Sequence, residues 1–385
     1  MRIAPIVFTA LVACGGSPTT PPPEAEDEGS EVAAAPAPEP SAETEAEPTE
    51  AESEPEPEPT EAADASGITP LTDAQRAILA GLPRETIPLP GEYYYRSNEL
   101  RHDLLADDLR GRGGAVVGVG PDQLYTLAAL SGAELIVGTD YDARVPALHR
   151  LYGVLVPRSE TADDLIERFS EAKEAETLAL LRAELEPGDA QPIRMFERLR
   201  QDLHEYLQRQ HAREHRAAPT TWMADPAYYA HVRDLFRAGR VVARTGDLTG
   251  TTTVRAVGAA LRELGIPVRI FYMSNADQFF RYTDDFIANV EALPTDERTI
   301  VVRSIRNPEL PNALRDRWHY IVQEHADFIE RLKLRYFRRS QVIVQELIDA
   351  GPPWVGEGVS HITRETPRPL LEHRQRRQRR GQASE

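Results

Sequence analysis

Residues 115–155 carry the pattern that most restricts how this chain folds. Residues 115–120 read Ala-Val-Val-Gly-Val-Gly, a short apolar run rich in β-branched residues that predicts a buried strand ending at glycine. A predicted helix follows at 124–130, a second predicted strand at 133–138 and a second helix at 144–155. Strands that alternate with helices in this way indicate a parallel sheet covered by helices.

The chain up to about residue 350 extends this pattern. The segment from about 158 to 235 is predicted as a helical insertion, because Thr161 precedes Ala-Asp-Asp as at a helix start and several leucines fall on one helical face. We therefore expect a Rossmann-like α/β fold over residues 68–350, with a doubly wound, mostly parallel sheet. The remaining predicted elements are strands at 240–244, 268–273 and 299–304, a helix at 251–264 and one long helix at 318–348.

The first fourteen residues have the features of an export signal. Arg2 precedes a mostly apolar run, residues 3–13, that is too short to span a bilayer. The sequence Leu-Val-Ala-Cys at residues 11–14 resembles the lipobox of bacterial lipoproteins. This resemblance implies cleavage after residue 13, acylation of Cys14 with chains such as palmitate, and a position in the cell envelope, at the outer membrane. The alternative is an ordinary apolar N-terminus with an incidental cysteine.

Cys14 is the only cysteine in the chain, so an intramolecular disulfide is excluded. Residues 15–67, which follow it, contain 16 acidic residues and no lysine or arginine, together with many prolines. Such a composition cannot bury enough apolar surface to fold. We expect residues 14–67 to form a disordered acidic linker between the lipid anchor and the domain.

The charge of the predicted domain differs from that of the whole chain. The linker holds 16 of the negative charges and Arg2 adds one positive charge, so of the net charge of −18 only −3 belongs to residues 68–385. A nearly neutral domain gives no support to nucleic-acid binding. We expect residues 351–385 to form a basic, disordered tail that either binds an anionic envelope polymer or lipid head groups or simply aids solubility. Its arginines include Arg374, Arg376, Arg377, Arg379 and Arg380.

Candidate site residues follow the predicted strands, because ligands of open parallel sheets bind beyond the carboxyl ends of the strands. Gly118 and Gly120 end the first strand, where glycine lets a backbone approach a ligand and the following helix offers free N–H groups. Asp140 follows the second strand, where a carboxylate can accept both hydroxyls of a ribose. The other interpretation is that Asp140 caps the next helix. Asp247 and Asn275 follow the third and fourth strands.

These residues resemble the class I S-adenosylmethionine-dependent methyltransferase fold, in which a glycine loop and an acidic residue hold the cofactor. More narrowly, the sequence is similar to an uncharacterised bacterial family with this methyltransferase-like fold over about residues 90–306. The segments that carry this resemblance are Ser97-Asn98-Glu99, Gly-Val-Gly-Pro-Asp-Gln at 118–123, Phe-Tyr-Met-Ser-Asn at 271–275 with Gln278, Asn289-Val290 and Leu293-Pro294.

The resemblance implies that S-adenosylmethionine or a related nucleoside binds for group transfer, with Asp247 or Asn275 near the acceptor. The sequence departs from the methyltransferase pattern at Pro121, where many methyltransferases continue with glycine. We therefore expect Asp122 or Gln123 either to contact the ligand or to fill the space that the ligand would otherwise occupy. The alternative is a non-catalytic envelope protein that uses the same fold to bind a ligand, a glycan or a protein. The residues implied at the cofactor are Gly118, Gly120, Asp122, Gln123 and Asp140.

A rival motif lies at residues 211–215, where His211, Glu214 and His215 match the H-x-x-E-H pattern of inverted zinc proteases. The apolar face of the predicted helix fades after Leu207, and no third ligand follows at a short interval. We therefore interpret this segment as a solvated helix end and expect no metal site.

Overall fold

Nine strands occur in the part of the chain that the computed structural model describes, which comprises residues 67–89, 91, 94–215 and 218–368. The predicted signal, the predicted lipidation site Cys14 and the arginines from Arg374 onward lie outside the described residues, as does nearly all of the predicted linker. The strands are β1 (Ala115–Gly118), β2 (Leu135–Asp140), β3 (Glu214–His215), β4 (Ala218–Pro219), β5 (Val241–Thr245), β6 (Val268–Ser274), β7 (Thr295–Ile305), β8 (His319–Glu324) and β9 (Val359–Ile362).

Seven of these strands form one sheet in the order β5-β2-β1-β6-β7-β8-β9. The first five in this order are parallel, whereas β8 is antiparallel to β7 and β9 is parallel to β8. From β1 the chain moves outward to β2 and β5, then returns to β6 beside β1 and moves outward in the other direction. The predicted doubly wound, mostly parallel sheet is thus confirmed, and its winding direction reverses between β1 and β6, where folds of this type bind ligands.

Helices cover both faces of the sheet. Alternate side chains of each parallel strand point to opposite faces, so Val116 and Ile270 belong to one apolar cluster while Val117 and Phe271 belong to the other. The helices of the described residues are α1 (Asp73–Ala80), α2 (Ala106–Leu109), α3 (Gln123–Ser131), α4 (Arg144–Leu155), α5 (Ala162–Arg168), α6 (Glu174–Glu184), α7 (Ala190–His211), α8 (Pro226–Arg237), α9 (Thr253–Leu264), α10 (Asp284–Ala292), α11 (His325–Leu332) and α12 (Ser340–Ala350).

The helical insertion between β2 and β5 is confirmed. Thr161 caps α5 as predicted, because its hydroxyl accepts the Asp164 N–H at 3.1 Å and the Asp164 carboxylate accepts the Thr161 N–H at 2.9 Å. On α7, Phe196, Leu203 and Leu207 are fully buried. They pack in the same apolar cluster as α3 and α4, so the insertion is joined to one face of the sheet through a shared core.

The predicted long helix at 318–348 is wrong. The segment contains the strand β8 before α11 and α12. Residues 319–323 are buried on both faces of the sheet. Their sequence therefore lacks the alternation of apolar and polar residues that marks a half-exposed strand. Because β9 adds an edge strand after it, the sheet also continues beyond the predicted domain end at residue 350. No helix among the described residues is long and apolar enough to cross a membrane.

Candidate functional site

A cleft of about 700 Å³ opens at the carboxyl edge of the parallel strands, across the point where β1 and β6 diverge. We call the part lined from β1, β2 and β5 the first half and the part lined from β6, β7 and the start of β8 the second half. The N-terminal segment, residues 94–99, lies along both. Residues of the first half include Gly120, Gln123, Asp140, Asp142, Asp247 and Thr249, and those of the second half include Ser274, Asn275, Phe279, Arg306, Arg317 and Trp318.

The glycine turn after β1 is closed by a side chain. Gly120 has a φ of +92°, which favours glycine, and a Cβ added there would lie 2.2 Å from Nε2 of Gln123. The Gln123 side chain is buried, and its Oε1 has no hydrogen-bond partner. The Gln123 amide therefore occupies the space that the glycine opens in front of the turn.

His149 on α4 fixes the same turn from behind. Its Nε2 donates to the Gly120 carbonyl at 3.1 Å, and its Nδ1 accepts the Tyr125 hydroxyl at 2.6 Å. Burial lowers the pKa of His149 to about 4, so the ring is neutral and the two nitrogens have these complementary roles. This histidine positions the backbone of the glycine turn and does not reach the cleft lining.

Asp140 lies at the end of β2 and faces the cleft. Its Oδ2 accepts the Gly120 N–H and its Oδ1 accepts the Asp142 N–H, each at 2.9 Å. Burial raises the pKa of Asp140 to about 6, although these two N–H groups oppose the shift. Each carboxylate oxygen keeps a further acceptor position. Asp140 does not cap α4: the Arg144 N–H at the start of this helix donates to Oδ1 of Asp142, which also pairs with the Arg144 guanidinium.

The loop after β5 is held by Glu85, which belongs to the segment that follows α1. Its carboxylate accepts the N–H groups of Asp247, Thr252 and Thr253 at 2.7, 3.2 and 3.0 Å. The N-terminus of α9, a ready position for an anion, is therefore already occupied by a carboxylate of the chain itself. Asp247 lines the cleft, and its Oδ1 accepts the N–H and hydroxyl of Thr249 within the same turn.

Glu99 forms a buried polar cluster at the cleft wall. Its Oε1 accepts the hydroxyls of Ser274 at 2.6 Å and Ser304 at 2.8 Å, while its Oε2 accepts Tyr272 and lies 3.0 Å from Nε2 of His102. Burial raises the pKa of Glu99, but the hydrogen bonds and the charge of His102 outweigh it, so the net shift is downward. Glu99 thus ties the N-terminal segment to the ends of β6 and β7.

Ser274 has a φ of 48°, a left-handed conformation that is uncommon for a residue other than glycine. Its hydrogen bond to Glu99 holds this turn, and the next residue, Asn275, enters the cleft lining. The Asn275 side chain makes no hydrogen bond to another described residue. Strain of this kind concentrates at functional sites, where the surroundings hold it in place.

The second half of the cleft carries the positive charge. Arg306 follows β7 and Arg317 precedes β8, and both side chains are exposed at the cleft. Neither guanidinium makes a hydrogen bond or an ion pair within the described part of the chain. Phe279 lines the same half and is 80% exposed, an unusual position for a phenylalanine.

Residues 94–363 match the family described as Domain of unknown function (DUF7790). The chain belongs to this family. The matched region contains every strand of the sheet and both halves of the cleft, whereas α1 and Glu85 lie outside it. No curated protein matches the sequence.

Within this DUF7790 domain, five residues that the sequence predicted to form the site do line the cleft. They come from four different strand ends, as the rule for parallel sheets requires. The N-terminal Ser97, Asn98 and Glu99, which carried part of the resemblance, also line it. The five predicted residues are Gly120, Gln123, Asp140, Asp247 and Asn275.

Gly118 and Asp122, both predicted to contact a cofactor, lie elsewhere. A Cβ on Gly118 would meet the Tyr272 carbonyl at 2.5 Å, so this glycine permits the close pairing of β1 with β6. Asp122 is buried against the insertion, where it accepts the Tyr206 hydroxyl at 2.7 Å and Nε1 of Trp222 at 3.2 Å. The predicted contact of Asp122 with a ligand is corrected: its carboxylate anchors the insertion to the glycine turn.

The rival zinc motif is not assembled on one helical face. His211 ends α7, whereas Glu214 and His215 lie in β3. The His211 Nδ1 is 2.7 Å from the Met223 carbonyl oxygen, a contact that requires Nδ1 to carry the proton. Among the described residues no group of three side chains is placed to hold a metal ion.

Sequence reasoning missed Glu85, Arg306 and Arg317. Arg306 lies two residues after the predicted strand at 299–304, so the strand-end rule contained a signal for it. Arg317 and Glu85 carried no such signal, because each reaches the cleft region through a segment whose course depends on the tertiary fold.

Proposed function

We propose that this chain is a group-transfer enzyme that binds S-adenosylmethionine or a related nucleoside in the first half of the cleft. The observation that carries the proposal is Asp140. Its carboxylate lies at the carboxyl end of β2, contacts the glycine turn of β1 and retains acceptor positions towards the cleft. Two adjacent hydroxyls of a ribose are suitable donors for such a carboxylate.

The residues fit this cofactor on its ribose side. A cleft of about 700 Å³ is within the range that holds a ligand of this size. On the side of the glycine turn, the Gln123 amide fills the space in front of Gly120, so the backbone of the turn is covered there. The cofactor supplies the transferable group. Asn275 and Asp247, which line the cleft, then orient an acceptor next to the cofactor.

Calorimetric titration of the full-length chain with S-adenosylmethionine and with its demethylated product tests the proposal. Replacing Asp140 by Ala or Asn is expected to weaken binding about tenfold, since a hydrogen bond to a charged group contributes about 1.5–3 kcal/mol. Asp107→Asn is the matched control, because the Asp107 side chain is 99% exposed and lies outside the cleft. Absence of binding to both compounds, or equal binding by the Asp140 variants, contradicts the proposal.

A second candidate is a non-catalytic protein that binds a ligand, a glycan or a protein in the same cleft. The position of Gln123 over Gly120 favours it, because the turn through which a nucleotide would contact the backbone is filled. Binding of a nucleoside without any transfer to an acceptor would favour this candidate over the enzyme.

We also propose that lipid on Cys14 anchors the chain to a membrane of the cell envelope, with residues 15–67 as a spacer. The support is the sequence pattern of residues 1–14. A nucleoside cofactor made in the cytosol would then have to reach the protein outside it. Labelling cells with a radioactive fatty acid tests the anchor: Cys14→Ser is expected to abolish labelling and release the chain from the membrane fraction. A Cys14→Ser chain that still carries label refutes it.

A further inference from the structure

Arg306 and Arg317 of the second half have no carboxylate partner for their guanidinium groups among the described residues. Asp316 is the acidic neighbour of Arg317 in sequence, but its carboxylate already accepts the N–H groups of Leu100 and Trp318 and the Tyr320 hydroxyl. Glu99 is saturated by the donors described above. Both nearby carboxylates are therefore committed to holding the fold, and the two guanidinium groups remain available.

Exposed aromatic rings also line the cleft, with Phe279 in the second half and Tyr141 in the first. Phe279 is 80% exposed, Tyr94 69% and Tyr141 49%, so three of the five large hydrophobic side chains exposed on the described residues line this one cleft. Exposed apolar surface gathered at a cleft marks a binding site. Flat rings offer a contact surface for a flat, apolar part of a ligand.

Charge divides the cleft in the same way as the topology does. The acidic side chains Asp140 and Asp247 line the first half, where Asp142 is paired with Arg144. Arg306 and Arg317 line the second half, where the carboxylate of Glu99 is buried and saturated by hydrogen bonds. Arg96 of the N-terminal segment also lines the cleft, with its guanidinium over the Tyr95 ring at 4.9 Å. A ligand that spans the cleft therefore meets acceptors at one end and cationic donors at the other.

We infer that the second half of the cleft binds an acceptor substrate with an anionic group, a carboxylate or a phosphate, attached to a flat apolar body. Arg306 and Arg317 hold the anion through charge-assisted hydrogen bonds, and Phe279 packs against the flat body. This inference rests on the proposed function, because it names the class of acceptor that the same cleft takes.

Ligand-observed NMR titration of the full-length chain with phenyl phosphate, benzoate and benzamide tests the inference. The two anions are expected to bind more tightly than the neutral amide. Combining Arg306→Gln with Arg317→Gln is expected to raise the Kd of both anions about tenfold and to leave that of benzamide unchanged. Phe279→Ala is expected to weaken all three probes. A larger loss for phenyl phosphate than for benzoate identifies phosphate as the preferred anion, and the reverse identifies carboxylate.

Arg335→Gln is the matched control, since Arg335 is exposed, has no partner among the described residues and does not line the cleft. Thermal melting of each variant verifies folding, and a rise of the wild-type Kd with salt gives a second measurement that needs no variant. Equal binding of benzamide and the anions, or an equal loss in the Arg335 variant, overturns the inference. If S-adenosylhomocysteine binds in a way that depends on Asp140 but the anionic probes bind no better than benzamide, this inference alone is wrong. If the anionic probes bind through Arg306 and Arg317 but S-adenosylhomocysteine does not bind, only the proposed cofactor is wrong.

Discussion

The two halves of the cleft consist of the same kind of strand end, yet different parts of the chain hold them in place. In the first half, the insertion reaches the glycine turn through Asp122, which accepts hydrogen bonds from Tyr206 and Trp222. In the second half, the N-terminal segment reaches the ends of β6 and β7 through Glu99. The anchor of the first half is made by the insertion, which lies between β2 and β5. The anchor of the second half is made by the N-terminal segment, which precedes β1.

Tyr206 connects the two anchors. Its hydroxyl donates to Asp122 and accepts the Ser97 N–H at 3.1 Å, so the insertion also holds the segment that carries Glu99. Because the two halves share this contact, a change in the insertion is expected to affect both. A change at Glu99 is expected to act mainly on the second half. We therefore expect equally buried side chains of the insertion and of the Glu99 cluster to differ in how much of the cleft their substitution disturbs.

The largest expected effect is that of Trp222→Ala. Trp222 is fully buried, lies parallel to the Tyr229 ring at 5.6 Å between centroids and donates to Asp122. The substitution leaves a cavity and removes one of the two side-chain donors to the Asp122 carboxylate, so the free energy of unfolding is expected to fall by about 4 kcal/mol. Denaturant titration measures it. Trp222→Phe keeps most of the volume and is expected to cost less; a loss below about 1 kcal/mol for the alanine variant would show that the insertion does not anchor the first half.

Glu99→Ala is expected to lower the free energy of unfolding by about 3 kcal/mol, because it leaves several buried donors without an acceptor. Glu263→Ala, at an exposed position on α9, is the control and is expected to change it by less than about 0.5 kcal/mol.

The pH dependence of this effect has a defined sign. The folded-state pKa of Glu99 is lowered from its ordinary value of 4.5, so its contribution is complete above that value and is lost as pH falls below it. The stability difference between wild type and Glu99→Ala is therefore expected to shrink in acid. A constant difference from pH 7 to pH 3 would contradict the assignment of an ionised Glu99.

These anchors also show where sequence reasoning succeeds. The strands β1, β2, β5, β6 and β7 were predictable from apolar runs between helices, and the strand-end rule brought Asp140 and Asn275 to one edge. The Glu99 cluster was not predictable, because its bonds to Ser274 and Ser304 join residues 175 and 205 positions apart. Such contacts depend on the finished fold. For the same reason Asp122, although next to Gln123, points into the insertion and away from the cleft.

A smaller effect is expected from the titration of Asp140. With a pKa of about 6, this carboxyl is mostly protonated at pH 5 and ionised at pH 7, and the ionised form is the better acceptor for ribose hydroxyls. Affinity for S-adenosylhomocysteine is expected to rise about tenfold from pH 5 to pH 7, because the ionised fraction of a carboxyl with this pKa rises about tenfold between the two pH values. Calorimetry at both pH values measures the change. Asp140→Asn is expected to bind weakly with little pH dependence; an unchanged pH profile in that variant would exclude Asp140 as the titrating group.

The smallest expected effect is that of Gln123→Ala. Gln123 is the side chain that makes the first half of the cleft less open than the second. The first half is filled by this amide at the glycine turn, whereas the second half leaves two guanidinium groups exposed. If the Gln123 side chain competes with a nucleoside for the turn, Gln123→Ala frees the space in front of Gly120 and is expected to raise affinity for S-adenosylhomocysteine about threefold, or about 0.7 kcal/mol. Gln278→Ala, which removes a half-buried amide outside the cleft lining, is the control. A loss of affinity in the Gln123 variant would instead identify the amide as a ligand contact. In that case both halves of the cleft would contact their ligands through polar side chains and not through the backbone.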